Sequence, residues 1–134
     1  MDATCLGAHT QVRLARPSVD LAAAERFYTA GVGLSVLMRV APPEVPPPGM
    51  VMLGWPDAGW HLELVGHGTL PRPTVDDLLV LYLDDEVPAA LVDRLVDAGG
   101  RRVDAHDPYW DQWGVTVEDP DGYRLVLSTQ RWPH

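Results

Sequence analysis

The sequence contains no lysine, a single cysteine and a single phenylalanine, and it holds no apolar run long enough to span a bilayer. Each absence removes a class of function. Without lysine there is no Schiff-base nucleophile. All ten basic residues are arginines set against 19 acidic ones, for a net charge of −9. That balance denies the chain the basic face that nucleic acid or an anionic membrane requires, so neither is expected as a partner. Cys5 has no second cysteine to pair with, and nothing places a base beside it to make it a nucleophile. The opening residues, Met1-Asp2-Ala3-Thr4-Cys5, lack the basic region and apolar stretch of a signal peptide, and the expectation is a reduced, cytoplasmic chain. Gly66-His67-Gly68 is no phosphate-cradling glycine loop, and no serine stands in a G-x-S-x-G context.

What is present fits one globular domain. The 134 residues are enough for one core and short for two independent ones, and 46% hydrophobic with 22% charged residues is ordinary for such a chain. The pattern of elements occurs twice. Gln11–Arg16 reads as a strand. Asp20 caps a helix through Ala30, stopped by Gly31 and Gly33, and Leu34–Val40, Met50–Trp55 and Trp60–Val65 read as strands. Pro42, Pro43, Pro46, Pro47 and Pro48 make a stiff surface loop between the second and third strands, and segment 42–48 is the one hint of a partner-binding module. The pattern restarts with a strand at Asp77–Leu83, a helix from Pro88 to Gly99-Gly100 and a short strand at Arg101–Val103. After a loop at Ala105–Asp111, strands at Trp113–Glu118 and Tyr123–Thr129 flank the turn Asp119-Pro120-Asp121-Gly122.

The expected fold class is therefore α+β. Two tandem βαβββ modules form curled sheets around a cleft within a single domain, 1–134: unit 1 at about 10–66, a linker at 67–76 and unit 2 at about 77–130. This arrangement resembles the vicinal oxygen chelate superfamily of glyoxalases, extradiol dioxygenases and bleomycin-resistance proteins. The residues that carry the resemblance are Asp20-Leu21, Phe27-Tyr28, Gly31-Val32-Gly33-Leu34 and Glu118-Asp119-Pro120-Asp121-Gly122-Tyr123-Arg124. It implies paired βαβββ modules and a homodimer.

The resemblance also implies four metal-ligand positions on the first and last strand of each unit. Here they fall at Arg13, Glu63, Leu78 (or Asp77, one residue earlier) and Val126. Only Glu63 is a strong metal-binding type. Arginine stays protonated, and leucine and valine have no donor, so no metal and no cofactor are expected. Arg13 and Glu63 should instead meet as an ion pair. An unorthodox metal site would need His61, two residues before Glu63 on the same strand face, with a loop donor such as His106 or Asp107.

Five tryptophans are present. Trp60 beside the first turn, and Tyr109, Trp110 and Trp113 before the second-half strands, offer faces for flat or cationic ligands, and Met38 adds adaptable apolar surface. The resulting expectation is a binding protein, leaning away from an enzyme. It would sequester an aromatic or cationic natural product through Arg13, Met38, Trp60, His61, Glu63, Tyr109, Trp110 and Trp113. The enzymatic alternative is a glyoxalase-like lyase or isomerase using Glu63 as base with His61 beside it.

Overall fold

Period-two alternation of apolar residues sends one face of each strand toward the helices and leaves the other face free. The computed structural model describes residues 5–40, 49–66 and 68–132. The proline segment 42–48, His67 and His134 lie outside them.

Strand β1 (Val12–Pro17) is followed by helix α1 (Leu21–Arg26), β2 (Ser35–Val40), β3 (Met50–Gly54) and β4 (Trp60–Val65). The second half repeats the order with β5 (Leu78–Tyr82), α2 (Ala89–Asp97), β6 (Arg101–Val103), β7 (Gly114–Glu118) and β8 (Arg124–Ser128). The two sheets have the same topology, β1-β4-β3-β2 and β5-β8-β7-β6, each opened by one parallel pair. Two four-stranded mixed sheets with a few helices make this an α+β fold of two tandem glyoxalase-type modules. No described helix is long and apolar enough to cross a membrane.

Two segments differ from the sequence reading. The expected helix 20–30 is α-helical only through Arg26 and continues as a π-helical segment, Phe27–Val32, which ends at Gly33 with φ of 93°. The wider turn buries Phe27, Tyr28 and Gly31 together. Gly31 keeps the helices close there: a Cβ would stand 3.1 Å from Leu95 Cδ2 and 3.2 Å from Ala98 Cβ, tighter than most Cβ contacts. The second difference is a short helix, α3 (Pro108–Gln112), where a loop was expected. Asp107 caps it by accepting the Tyr109 N–H at 3.0 Å, and Pro108 occupies the first turn, where its missing N–H costs nothing.

The core lies between the helices and one face of both sheets. Val51, Leu53, Leu62 and Leu64 of the first half and Leu125 and Leu127 of the second pack with Ala24, Phe27, Tyr28 and Leu95. The halves meet through α2 and the π-helical segment, whose ends are tied reciprocally. The Arg94 Nε donates to the Gly31 carbonyl at 2.8 Å, and the Arg26 guanidinium donates to the Asp97 carbonyl at 2.8 Å. Beside this seam the buried Tyr28 hydroxyl donates to the Asp119 carboxylate at 2.6 Å, and the Arg16 guanidinium sits 4.6 Å above the Tyr123 ring. The hydrogen bonds among these contacts fix one relative placement of the two modules, although Arg16 Nη1 is buried there without a hydrogen-bond partner.

Candidate functional site

The parallel pairing of β1 with β4 sets Arg13 opposite His61 and Ala15 opposite Glu63, and the antiparallel pairing of β4 with β3 sets Glu63 opposite Met52. Paired residues share a face, so Arg13, His61, Glu63 and Met52 converge on the side of the first sheet away from the helices. One guanidinium engages all three neighbours. Arg13 Nε donates to His61 Nε2 at 3.0 Å, its Nη2 reaches Met52 Sδ at 3.6 Å, and its Nη1 lies 3.6 Å from Glu63 Oε1. The Arg13 side chain keeps 48% of its exposure and that of Glu63 18%, so the group is open to a ligand. Met38 pairs with Met52 and joins the same face.

A bulge between Val36 and Met38 turns Leu37 to this side as well. Gly54 makes room for it: a Cβ there would stand 3.0 Å from His61 Cβ and 3.1 Å from Leu37 Cδ1. Leu37, Met38 and Val40 are exposed, and together with Met50 and Met52 they surround the polar cluster with apolar, largely flexible side chains.

The second sheet repeats the register. Leu78 lies opposite Arg124, and Val126 lies opposite both Val80 and Thr116. Leu78 and Val126 thus hold the places that Arg13 and Glu63 hold in the first sheet. Asp77 is not a ligand there. It lies one residue off the strand face, and its carboxylate accepts the Thr74 N–H at 2.8 Å. That bond holds its carboxyl below the usual carboxylate range.

Helix α3 is placed against this second face. The Asp111 carboxylate accepts the Ala105 N–H at 3.0 Å, and the Tyr109 hydroxyl donates to Gln130 at 2.9 Å. Tyr109 and Trp110 form an edge-to-face pair at 5.0 Å. A cavity of about 70 Å³ remains, lined by Leu78, His106, Asp107, Trp110, Thr116 and Arg124 among others. The Thr116 hydroxyl on that wall is buried without a partner. Tyr109 and Trp113 stay exposed.

The expected site residues therefore divide into three places. Arg13, Met38, His61 and Glu63 share the first concave face. Trp110 lines the second, with Tyr109 packed against its ring, and Trp113 follows them as the exposed C-cap of α3. Trp60 belongs to neither: it alternates with His61 along β4, packs against the core and lines a separate cavity between the modules. Met52, Leu37 and Gly54 complete the first face. Met52 was legible from the strand period, whereas the bulge that turns Leu37 inward had no sequence signal.

The residues present do not fit a metal. Of the four inherited positions only Glu63 offers a strong donor. The His61 Nε2 lone pair is taken by the Arg13 Nε–H, which places the imidazole proton on Nδ1. His106 and Asp107, the expected loop donors, line the second-half cavity, and Asp107 is engaged in capping α3. Among the described residues no three His, Cys, Asp or Glu side chains stand together to hold an ion.

Paired βαβββ sheets with a polar cluster at the inherited positions define a protein of the vicinal oxygen chelate superfamily. The chain belongs to the YycE-like family within it: residues 12–65 match the YycE-like N-terminal domain and residues 76–129 the YycE-like C-terminal domain. It is 38% identical over 127 residues to the uncharacterized protein YycE of Bacillus subtilis (strain 168), covering 90% of this chain and 88% of that one. The crystal structure of a YycE protein of unknown function from Bacillus subtilis matches with a TM-score of 0.76 and 36% identity over 93% of both chains. TnmS3, an antibiotic binding protein from Streptomyces sp. CB03234, matches with a TM-score of 0.59 and 27% identity, over 91% of this chain and 95% of that one.

Proposed function

We propose that this chain is a cytoplasmic, metal-free binding protein that captures an aromatic natural product and holds it unchanged. The observation that carries the reading is the Arg13 guanidinium at an inherited metal-ligand position, bonded to His61 and standing 3.6 Å from Glu63. A fixed cation there orients a ligand oxygen by charge-assisted hydrogen bonding, as a metal would by coordination. The surrounding methionines and Leu37 supply an adaptable apolar wall. The similarity to an antibiotic binding protein supports the same reading. The strongly negative net charge and the exposed rings of Tyr109 and Trp113 extend it to cationic ligands.

On this reading residues 1–134 act as a single domain, and a homodimer completes the cleft. In one chain the polar cluster and the aromatic cluster lie on different sheets. A second copy laid face to face brings Tyr109, Trp110 and Trp113 of one chain over Arg13, Met38, His61 and Glu63 of the other. Light scattering at micromolar concentration is expected to give twice 14.7 kDa. Intrinsic tryptophan quenching by a panel of aromatic antibiotics is expected to saturate at one ligand per chain, with the ligand recovered unaltered by mass spectrometry. A recovered product lost in Glu63→Gln would replace this reading with the glyoxalase-like one, in which Glu63 is a base. A monomer with no quenching would remove both.

A further inference from the structure

The two halves are quasi-symmetric about the seam, but the two junctions beside it are filled differently. Arg16 and Leu81 hold equivalent places, opposite Leu64 and Leu127 in matching parallel pairs. Tyr123 and Trp60 are equivalent too, at the entry to β8 and β4. Where Arg16 meets Tyr123 the junction is closed: the guanidinium covers the ring at 4.6 Å, the Tyr28 hydroxyl reaches Asp119, and the Val19 N–H donates to Asp121 at 2.9 Å. Where Leu81 meets Trp60 there is a cavity of about 460 Å³. Its walls are mainly apolar, with Trp55, Trp60, Leu81, Leu83 and Leu91 prominent.

Two features point to an occupant. The wall is preorganised for a flat ring. Trp55 is held by its indole N–H donating to the Gly33 carbonyl at 3.1 Å, and it meets Trp60 edge to face at 5.7 Å. Arg94 also lines the cavity. Its Nε is used on the Gly31 carbonyl, but its two terminal nitrogens make no hydrogen bond or ion pair among the described residues. A guanidinium with free donors beside an apolar cavity of ligand size matches a molecule with an apolar body and an anionic head.

We infer that the seam cavity is a second binding site, distinct from the concave cleft, for an aromatic carboxylate. The ring stacks against Trp55 and Trp60, and the carboxylate takes the free nitrogens of Arg94.

The test is calorimetric titration of the purified protein with naphthoate, with naphthyl methanol as the neutral control. Naphthoate is expected to bind at one per chain, about tenfold tighter than the alcohol, and Arg94→Gln is expected to erase that difference. Leu81→Trp fills the cavity and is expected to abolish binding, and Leu91→Trp does the same from the helix side should the first variant not fold. Each titration is run in the Arg13→Ala background, which removes the cation of the concave face, so that the binding read is that of the seam cavity. No binding, equal affinity for acid and alcohol, or binding that survives a folded cavity-filling variant would each overturn the assignment. These readouts do not depend on whether the concave cleft takes its own ligand.

Discussion

Arg13 and His61 face each other across the parallel pair of β1 and β4, with guanidinium Nε 3.0 Å from imidazole Nε2. The contact uses up the imidazole lone pair that a metal would need and leaves the rest of the guanidinium facing Glu63 and Met52. Three side chains thereby become one rigid polar unit on an otherwise apolar, methionine-lined face.

The first prediction concerns that unit. Arg13→Ala is expected to weaken aromatic-ligand binding at least about tenfold, the worth of a charge-assisted hydrogen bond. The ion pair is half exposed on the arginine side, so unfolding free energy should change by less than about 1 kcal/mol. Titration by tryptophan quenching and a urea melt of the same variant separate the two effects. A large stability loss would make Arg13 structural.

The second prediction concerns Tyr28 and Asp119. Tyr28 is 1% exposed. Burial first, and the adjacent Asp119 charge second, push its hydroxyl well above 10.0. Because the folded state holds this proton more tightly than the unfolded chain, its stabilising share is complete below pH 10 and lost as pH rises toward the raised value. Tyr28→Phe is expected to cost about 1.5–3 kcal/mol at neutral pH by removing a bond to a buried carboxylate. It should also flatten the alkaline decline of wild-type melts above pH 10, where the unfolded chain gives up this proton and the folded state still holds it.

The third prediction concerns the seam. A Cβ at Gly100 would meet Phe27 Cε1, the Leu95 carbonyl and Val117 Cγ1, the last two at 2.8 Å. Phe27 belongs to the other module and cannot yield without disturbing the π-helical segment. Gly100→Ala is expected to destabilise the chain by about 1–3 kcal/mol, the usual range for overpacking. Thermal melts of Gly100→Ala beside Gly59→Ala, where a Cβ meets nothing within 4 Å, make the comparison.

Much of this was written in the sequence. Alternating apolar residues marked each strand within a residue or two, and the doubled βαβββ order followed from them. The family resemblance put Arg13 and Glu63 at two of the four ligand positions, and the parallel register of β1 and β4 brings them to one face. Trp60 shares no face with His61, because neighbours along a strand point to opposite sides, and composition alone carried no sign of that. Helix α3 had its marks in Asp107 and Pro108, masked by the aromatic residues that follow. The π-helical widening at Phe27 and the Tyr28–Asp119 bond had no local mark. Their partners lie on another helix and on a turn 91 residues away, and only the docking of the modules brings them together.

An organic ligand at the inherited metal positions leaves no place for a bound metal. Elemental mass spectrometry decides this, on protein purified from medium supplied with zinc, nickel, manganese and iron. Metal at trace level only is expected, unchanged in His61→Ala and Glu63→Gln. Close to one metal ion per chain, lost in either variant, would contradict it and make His61 and Glu63 ligands.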